Sequence, residues 1–331
     1  MNDIVIAQPV DSDIADTLSP FGRVWMNPGP DPLTAPELAD RCRSAKALMA
    51  FMTERIDAEF LERCPDLKII AGALKGHDNI NVAACSERGV AVSIVPDLLT
   101  EPTAELALGL MIAVCRNMLP GDRHVRSGQY AGWRPRFFGS SINGATIGIV
   151  GAGKVGQALL TLLQGFRCRR LYFDKSPMSE TRERELDAEY AALDDLVAQS
   201  DFLVLGLHLT GDTIGMADAA FLERMKPGSY LINPARGSLV VEADVAAALE
   251  NGHLAGYAAD VFETEDWSRT DRPGAVEPAL LASESTVLTP HMGSAVTEVR
   301  REIVKSAAAS IAECLSGNVP ANAVNKEALR A

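Results

Sequence analysis

Residues 146–156 read TIGIVGAGKVG, a short apolar run followed directly by three glycines in the spacing G-x-G-x-x-G. The run has the length and β-branched content of a buried strand, and residues 157–163 continue with helical periodicity. In such a strand–turn–helix, Gly151 permits the tight turn, Gly153 lets the backbone approach a pyrophosphate, and Gly156 allows the helix to pack closely on the strand. The stretch therefore predicts a dinucleotide site at a helix N-terminus.

The cofactor predicted for this loop is NAD. Asp174 follows the next predicted strand, eighteen residues after Gly156, where a carboxylate accepts hydrogen bonds from ribose hydroxyls and repels a 2′-phosphate. Lys175 beside it has the opposite effect on that phosphate, so use of NADP remains an alternative. A second alternative is that the glycine turn has a purely structural role and binds no cofactor.

Further strand candidates place the glycine loop inside a doubly wound parallel sheet. They lie at 171–173, 202–207, 230–233, 256–261 and 287–289. Near the N-terminus, the β-rich runs 4–6 and 68–71 alternate with helical stretches such as 36–52, and a helix predicted at 298–315 is expected to return to this region. The sequence predicts an α/β protein of two Rossmann-like domains: a flavodoxin-like substrate domain of residues 1–100 with 295–331, and an NAD-binding domain of residues 101–294.

Composition excludes several classes of protein. The 331 residues include 31 basic and 44 acidic side chains, and the net charge of -13 opposes binding to nucleic acid or to an anionic membrane. The densest apolar run, 106–115, is far shorter than the ~20 residues that span a bilayer. Six cysteines without a C-x-x-C pair indicate neither a zinc site nor a disulfide framework. We expect a cytoplasmic protein without a bound metal.

Three segments after predicted strands carry candidate catalytic side chains: INPARG at 232–237, ADVFETE at 259–265 and TPHMGS at 289–294. The carboxyl ends of strands border the ligand crevice of such a sheet, so these segments are expected to converge. His291 is a candidate general base because imidazole titrates near neutrality. Arg236 offers a planar fork for an oxyanion, and Glu265 can orient the imidazole.

Each candidate has a simpler alternative. Arg236 can cap a strand or pair at the surface, and Glu265 can belong to a solvated acidic cluster with Glu263 and Asp266. Asp260 is expected to bond the nicotinamide carboxamide or a neighbouring backbone group rather than to react. The remaining histidines are interpreted as surface or core residues: His77, His124, His208 and His253.

Taken together, these segments resemble the D-2-hydroxyacid dehydrogenase family along essentially the whole chain. The shared motifs are the glycine loop 151–156, NPARG at 233–237, DVFE at 260–263 and TPHMGS at 289–294. Within that family the chain is most similar to the phosphite-oxidising subfamily, the phosphonate dehydrogenases. The segments that carry this likeness are AFM at 50–52, ALKG at 73–76, VPDLLT at 95–100, PTAEL at 102–106, RSG at 126–128, EDW at 265–267, DRP at 271–273 and GSAV at 293–296.

The resemblance implies that a homodimer oxidises phosphite to phosphate and reduces NAD. It implies that His291 is the base, that Arg236 and Lys75 hold the oxyanion, and that Glu265 supports His291. Residues close to the substrate would be Gly76, Met52, Trp133, Ser294 and Arg300. Residues along the cofactor would be Lys75, Thr103, Gly151, Gly153, Lys154, Val155, Gly156, Asp174, Leu207, His208, Leu209, Ala235, Asp260, His291 and Gly293.

Lys75 separates two candidate substrates. Phosphite is largely a dianion near neutral pH, and water must attack phosphorus as hydride leaves, so two cations suit the growing charge. A monoanionic hydroxy acid needs only one. The alternative is therefore a D-2-hydroxyacid dehydrogenase or a 2-keto acid reductase acting on glyoxylate or hydroxypyruvate. A remote alternative on the same fold is an NAD-sensing corepressor, which the short tail after the last predicted helix disfavours.

Overall fold

The computed structural model describes residues 2–95, 97–267 and 269–329. The chain divides into two compact units. The first comprises Met1–Leu99, Trp267–Thr270 and Ala295–Ala331, and the second comprises Thr100–Asp266 and Asp271–Ser294. The division expected from the sequence was 1–100 with 295–331, and 101–294. It differs from these units at residue 100 and at residues 267–270.

A parallel sheet of five strands forms the centre of the first unit, in the order β2-β1-β3-β4-β5. This is the order of a flavodoxin-like doubly wound sheet. Four of the strands are buried along their whole length, as expected where helices cover both faces of a parallel sheet. The strands are β1 (Ile4–Ile6), β2 (Val24–Met26), β3 (Ala47–Ala50), β4 (Ile69–Gly72) and β5 (Ala91–Ser93), and the helices between them are α1 (Ser12–Asp16), α2 (Ala35–Cys42), α3 (Ala58–Arg63) and α4 (Val82–Glu87).

The helical stretch predicted at 36–52 was wrong in its second half. The helix α2 ends at Cys42, and residues 47–50 form the strand β3 instead. This Ala-Leu-Met-Ala run has a high helix propensity, but it lies between β1 and β4 and is completely buried. Burial on both faces of a sheet overrides the intrinsic preference of these residues for a helix.

The second unit is built on a parallel sheet of seven strands in the order β12-β11-β10-β9-β6-β7-β8. All six strands predicted in this region are present, with ends within two residues of the predicted ones. The direction of strand order reverses between β6 and β9, where a Rossmann sheet binds its dinucleotide. The strands are β6 (Thr146–Val150), β7 (Arg169–Phe173), β8 (Glu189–Tyr190), β9 (Phe202–Leu205), β10 (Ser229–Asn233), β11 (Leu254–Ala259) and β12 (Thr286–Leu288).

Helices pack on this second sheet, and one more returns to the first. The helix α5 packs against α7, β10 and β11. The helices of the second unit are α5 (Thr100–Cys115), α6 (Met118–Arg126), α7 (Lys154–Leu163), α8 (Glu180–Leu186), α9 (Leu193–Gln199), α10 (Ala219–Glu223), α11 (Glu242–Glu250) and α12 (Pro278–Ala282). The last helix, α13 (Thr297–Leu315), packs on β3, β4 and β5 of the first unit, which confirms the prediction that the chain returns there.

No single helix in the described part of the chain combines the length and the apolar composition that a membrane span requires. The bent pair α5 and α6 meets that test together, by length and composition only.

Candidate active site

The glycine loop follows β6 and leads into α7, as predicted. Gly151 has φ +102°, a conformation that side chains other than glycine rarely adopt. A Cβ atom at Gly156 would lie 2.4 Å from the carbonyl oxygen of Gly151, so only glycine fits where the helix meets the turn. A Cβ at Gly153 would meet no atom within 4 Å, which leaves the backbone open to a ligand at the helix N-terminus. Lys154 and Val155 are the first two residues of that helix.

Asp174 follows β7 beside the glycine loop. Its Oδ2 accepts a hydrogen bond from the backbone N–H of Ala152 at 2.9 Å, and its Oδ1 accepts one from Ser176 N–H at 3.3 Å. Lys175 lies 3.6 Å from Asp212 in an exposed ion pair. A carboxylate is therefore fixed at the end of β7 beside the glycine loop, and this arrangement fits NAD.

His291 lies in a strained turn just after β12. Its φ is +54°, in the left-handed region that non-glycine residues seldom occupy. Its backbone N–H donates to the carbonyl oxygens of Asp260 (2.8 Å) and Thr289 (3.0 Å). The ring Nδ1 lies 3.0 Å from Glu265 Oε2, and both side chains are about one quarter exposed. An imidazole oriented by a carboxylate in this way presents its other nitrogen for proton transfer.

Glu265 is held in place by a backbone N–H group three residues earlier in the chain. It ends a 3-10 turn at Glu263–Glu265, and its Oε1 accepts a hydrogen bond from Phe262 N–H at 2.9 Å. The other oxygen, Oε2, is the one that faces the imidazole. The alternative of a solvated carboxylate is thus at odds with the geometry, because both oxygens have protein partners.

Asp260 stabilises the turn that carries His291. Its Oδ1 accepts hydrogen bonds from Thr289 Oγ1 (2.6 Å) and Met292 N–H (2.7 Å), and its Oδ2 accepts one from Gly293 N–H (2.8 Å). Burial raises the pKa of this carboxyl group. The sequence left two partners open for Asp260, the nicotinamide carboxamide or a neighbouring backbone group. The structure shows hydrogen bonds to neighbouring backbone groups. Thr103, on α5, donates a long 3.5 Å hydrogen bond to the Gly293 carbonyl of the same turn.

Arg236 follows β10, the strand next to β11. The buried Asn233 shapes its turn, since the Asn233 side chain donates to the Arg236 carbonyl (2.8 Å) and accepts from Ala235 N–H (3.1 Å). One guanidinium nitrogen donates to the Ala235 carbonyl at 2.8 Å. The segments after β10, β11 and β12 therefore lie at one edge of the sheet, as the sequence predicted, with Asp260 N–H donating to the Asn233 carbonyl.

Sequence reasoning missed a group of buried carboxylates behind these segments. Glu242, 3% exposed, accepts from the backbone N–H groups of Glu263 and Glu277, both at 2.8 Å. Its own N–H donates to Glu263 Oε1 at 2.9 Å. Asp266, also buried, accepts from Ser238 N–H at 2.5 Å. These bonds join the segment with Arg236 to the segment with Glu265. Nothing in the sequence distinguishes Glu242 from an ordinary acidic residue in a first helical turn.

The remaining cofactor candidates of the second unit follow β9, the strand next to β10 in the sheet. Leu207 and Leu209 are half-buried after β9, and His208 between them is exposed, with its carbonyl accepting from Thr213 Oγ1 at 2.8 Å. Two expected substrate residues of this unit differ sharply in exposure, because Ser294 is buried whereas Trp133 is 75% exposed.

The first unit carries the other candidate substrate residues. Lys75 and Gly76 follow β4, and the Lys75 side chain is 26% exposed with its Nζ 4.0 Å from Asp97 Oδ1. Met52 follows the neighbouring strand β3. Arg300, on α13, places its guanidinium 5.9 Å from the centre of the Phe51 ring, and burial lowers its pKa.

No group of three or more His, Cys, Asp or Glu side chains suited to a metal ion occurs among the residues that the structure describes.

Comparison with known proteins gives consistent results. The family model "D-isomer specific 2-hydroxyacid dehydrogenase, NAD binding domain" matches residues 108–293. The chain is 37% identical to a glyoxylate reductase from Pyrococcus furiosus over 299 residues, 89% of this chain and 86% of that protein. It is 36% identical to a glyoxylate reductase from Thermococcus litoralis over 311 residues, 92% of this chain and 91% of that protein.

Solved structures agree over nearly the whole chain. The TT0316 protein from Thermus thermophilus has a TM-score of 0.87 and 32% identity, covering 97% of this chain and 99% of that one. An NADPH-dependent glyoxylate/hydroxypyruvate reductase from Sinorhizobium meliloti, in complex with NADP and malonate, has a TM-score of 0.83 and 25% identity, covering 97% of this chain and 96% of that one.

Proposed function

This chain belongs to the D-isomer specific 2-hydroxyacid dehydrogenase family, and from that premise we propose that it transfers hydride between NAD and a small anionic substrate. In this proposal His291 moves the substrate proton, Glu265 orients the imidazole, and Arg236 holds the substrate oxygens. The observation that carries it is the 3.0 Å contact between His291 Nδ1 and Glu265 Oε2, in a turn fixed by Asp260.

The proposed proton transfer follows from that contact. With Nδ1 bonded to the carboxylate, Nε2 is the ring atom left for the substrate. In the reducing direction His291 donates a proton to the carbonyl oxygen, and in the oxidising direction it accepts one. The chemistry that bound NAD supplies is the acceptance or donation of the hydride.

Reduction of glyoxylate or a related small 2-oxo acid is the first candidate reaction. The relatives described above are glyoxylate reductases that match this chain over most of their length. A monoanionic 2-oxo acid presents one carboxylate, which a single arginine fork can bind. The comparisons thus support this reaction better than they support phosphite oxidation.

Oxidation of phosphite is the second candidate, and Lys75 is the specific observation that favours it. A partly buried ammonium after β4, 26% exposed, adds a cation that a monoanion does not require. In this reaction water adds to phosphorus, the P–H hydride passes to NAD, and His291 takes the proton from water. The products are phosphate, NADH and a proton.

One assay tests both reactions. The purified protein is given NADH with glyoxylate or hydroxypyruvate, and NAD with phosphite or D-2-hydroxy acids, and the absorbance of NADH is followed. Oxidation of NADH that depends on glyoxylate is the expected result. Reduction of NAD by phosphite alone would establish the second candidate, and no turnover in any mixture would refute the proposed function.

The Lys75→Met variant separates the two substrates further. If Lys75 binds a dianion, the variant is expected to raise the KM for phosphite by about tenfold or more, since a lost charge-assisted bond is worth ~1.5–3 kcal/mol. The KM for NAD is expected to rise far less. Lys68→Met, at an exposed lysine just before β4, is the matched control. Equal, small changes in both KM values would remove Lys75 from the substrate site.

We also propose that the protein acts as a homodimer in the cytoplasm. All six cysteines are free thiols, and four of them are buried, which suits a reducing compartment. The segment 118–138 exposes several large apolar side chains, which suits contact with a second copy.

A further inference from the structure

Two buried polar side chains organise the loops that follow β3 and β4 in the first unit. The β3 loop, residues 51–56, carries Met52, and the β4 loop, residues 73–81, carries Lys75 and Gly76. Because β3 and β4 are adjacent parallel strands, these loops lie side by side at the carboxyl edge of the sheet. Glu54 braces the β3 loop from inside and Asn79 joins it to the β4 loop, and neither side chain has a role in the proposed chemistry.

Glu54 closes the β3 loop from inside. The residue is 3% exposed, and its Oε2 accepts a hydrogen bond from Phe51 N–H at 2.5 Å. Its Oε1 accepts one from Thr53 Oγ1 at 2.6 Å, and that hydroxyl in turn accepts from the Gln8 side chain at 2.9 Å. Burial raises the pKa of this carboxyl group, against the effect of those two bonds. Residues 51–54 are thus held in one conformation.

Asn79 extends the restraint to the other loop. Its side-chain amide donates to the carbonyl oxygens of Phe51 (3.0 Å) and Glu54 (2.7 Å), on both sides of Met52. The backbone adds two bonds, from Ile56 N–H to the Asn79 carbonyl (2.9 Å) and from Asn81 N–H to the Ile56 carbonyl (2.8 Å). The β3 loop and the β4 loop therefore form one restrained body.

A purely structural role explains this arrangement poorly. Burying a carboxylate and an amide carries a desolvation cost that apolar side chains avoid, so the pair is a weak source of stability. What these bonds do supply is a fixed join between residues 51–56 and residues 79–81, in the two loops that carry Met52 and Lys75. They also fix Phe51, whose ring lies under the guanidinium of Arg300.

We propose that Glu54 and Asn79 are positioning residues that hold Met52 and Lys75 in the geometry required to bind the small oxyanion. This inference rests on the proposed role of these loops in substrate binding. It assigns Glu54 and Asn79 to substrate affinity and not to NAD affinity, which depends on the glycine loop of the second unit.

Kinetics of Glu54→Gln, Glu54→Ala and Asn79→Ala test the proposal. We expect the KM for the substrate found by the assay above to rise by about tenfold or more, because small displacements of binding groups have large effects. The KM for NAD or NADH is expected to stay within about twofold of the wild-type value. The effect of Glu54→Gln is expected to be smaller than that of Glu54→Ala, since glutamine keeps an acceptor for Phe51 N–H.

Asp57→Ala is the matched control. Asp57 directly follows the β3 loop, caps α3 by accepting from Phe60 N–H at 3.0 Å, and forms a partly exposed ion pair with Arg55 at 3.1 Å. Its loss destabilises the same unit but leaves the bonds of Glu54 and Asn79 in place, and an exposed ion pair contributes little. The substrate KM of this variant is expected to match that of the wild type. If it rises as much as in Asn79→Ala, or if the KM for NAD rises in parallel, the positioning role is refuted. Should the buried variants not fold, Thr53→Val removes one donor to Glu54 and is expected to give a smaller rise in substrate KM alone.

Hydrogen exchange separates failure of this inference from failure of the proposed function. In the wild type the amides of Phe51, Ile56 and Asn81 are expected to exchange slowly, and Asn79→Ala is expected to accelerate exchange in both loops. Unchanged exchange would refute the junction even in an active enzyme. If the wild type turns over none of the substrates, the proposed function has failed, and the exchange rates alone decide whether the loops are joined.

Discussion

At the scale of single residues, His291 shows how the fold maintains an unfavourable conformation where chemistry is expected. A non-glycine residue with φ +54° carries strain of about 1–3 kcal/mol. The Asp260 carboxylate offsets it by accepting three hydrogen bonds from residues around the turn. The position of the imidazole is therefore set by a buried carboxylate that never needs to touch the substrate.

Asp174 leads to a prediction about cofactor choice. Asp174→Ala removes the carboxylate expected to bond the ribose hydroxyls and to repel a 2′-phosphate. The ratio of kcat/KM for NAD to that for NADP is expected to fall about tenfold or more, since a hydrogen bond to a charged group is worth ~1.5–3 kcal/mol. Initial rates with the two cofactors measure this ratio.

Asp212→Ala is the control for that measurement. It removes the partner of Lys175 in an exposed ion pair but leaves Asp174 in place. Because exposed pairs contribute little, the cofactor ratio is expected to change much less than in Asp174→Ala. An unaltered ratio in Asp174→Ala itself would contradict the ribose assignment.

At the scale of elements, the sequence predicted what depends on local constraints. The glycine loop was identified because turn, helix start and close packing each require glycine at fixed positions, as Gly156 shows. Six of the seven strands of the second sheet were identified from apolar runs between polar turns, and the two-residue β8 was not predicted. The strand β3 was missed because its composition favours a helix, and only its place between two other strands overrides that preference.

The candidate site was predictable in part for the same reason. His291, Arg236 and Glu265 were found because they follow strands that end at one edge of a sheet. Glu54, Asn79 and Glu242 were not found, because burial of a polar side chain is a property of the tertiary structure and leaves no local pattern. The catalytic and binding roles of all these residues remain predictions.

Glu242, between the segments after β10 and β11, leads to a prediction about pH and stability. Burial raises its pKa above the ordinary value of 4.5. Below the unfolded-state pKa the group is protonated in both states, so the free energy of unfolding does not vary with pH on its account. As the pH rises through the raised folded-state pKa, the folded protein must bury a charge, so its free energy of unfolding falls.

Glu242→Gln removes this titration. The Tm of the variant minus the Tm of the wild type is therefore expected to increase from acid to neutral pH, whatever its sign at low pH. Thermal unfolding of both proteins across this range measures the difference. The exposed Glu250 on the same helix supplies the control, since Glu250→Gln is expected to give a nearly constant difference. A flat profile for Glu242→Gln would contradict the assignment.

At the scale of the whole molecule, positive charge and exposed aromatic side chains occur together in one segment of an otherwise acidic chain. Residues 116–138 contain five arginines and one aspartate, a net charge of +4, so the rest of the chain carries -13 - 4 = -17. The same segment exposes large side chains, notably Trp133 (75%) and Phe138 (76%). A basic segment with exposed aromatic side chains is complementary to the acidic surface of a second copy.

This combination predicts that the segment 116–138 forms the contact between two copies. Phe138→Asp places a charge in the apolar part of the segment and is expected to convert a homodimer into a monomer, because a buried unpaired charge opposes association. Light scattering coupled to size-exclusion chromatography gives the mass directly, against 35.3 kDa for one chain. Leu281→Asp introduces the same charge at an exposed leucine outside the segment, 62% exposed on α12, and is expected to leave the dimer intact. A wild-type mass of one chain would refute the homodimer. If the Phe138→Asp variant stays dimeric, the aromatic side chains of this segment have no part in the contact, which must then lie on another surface.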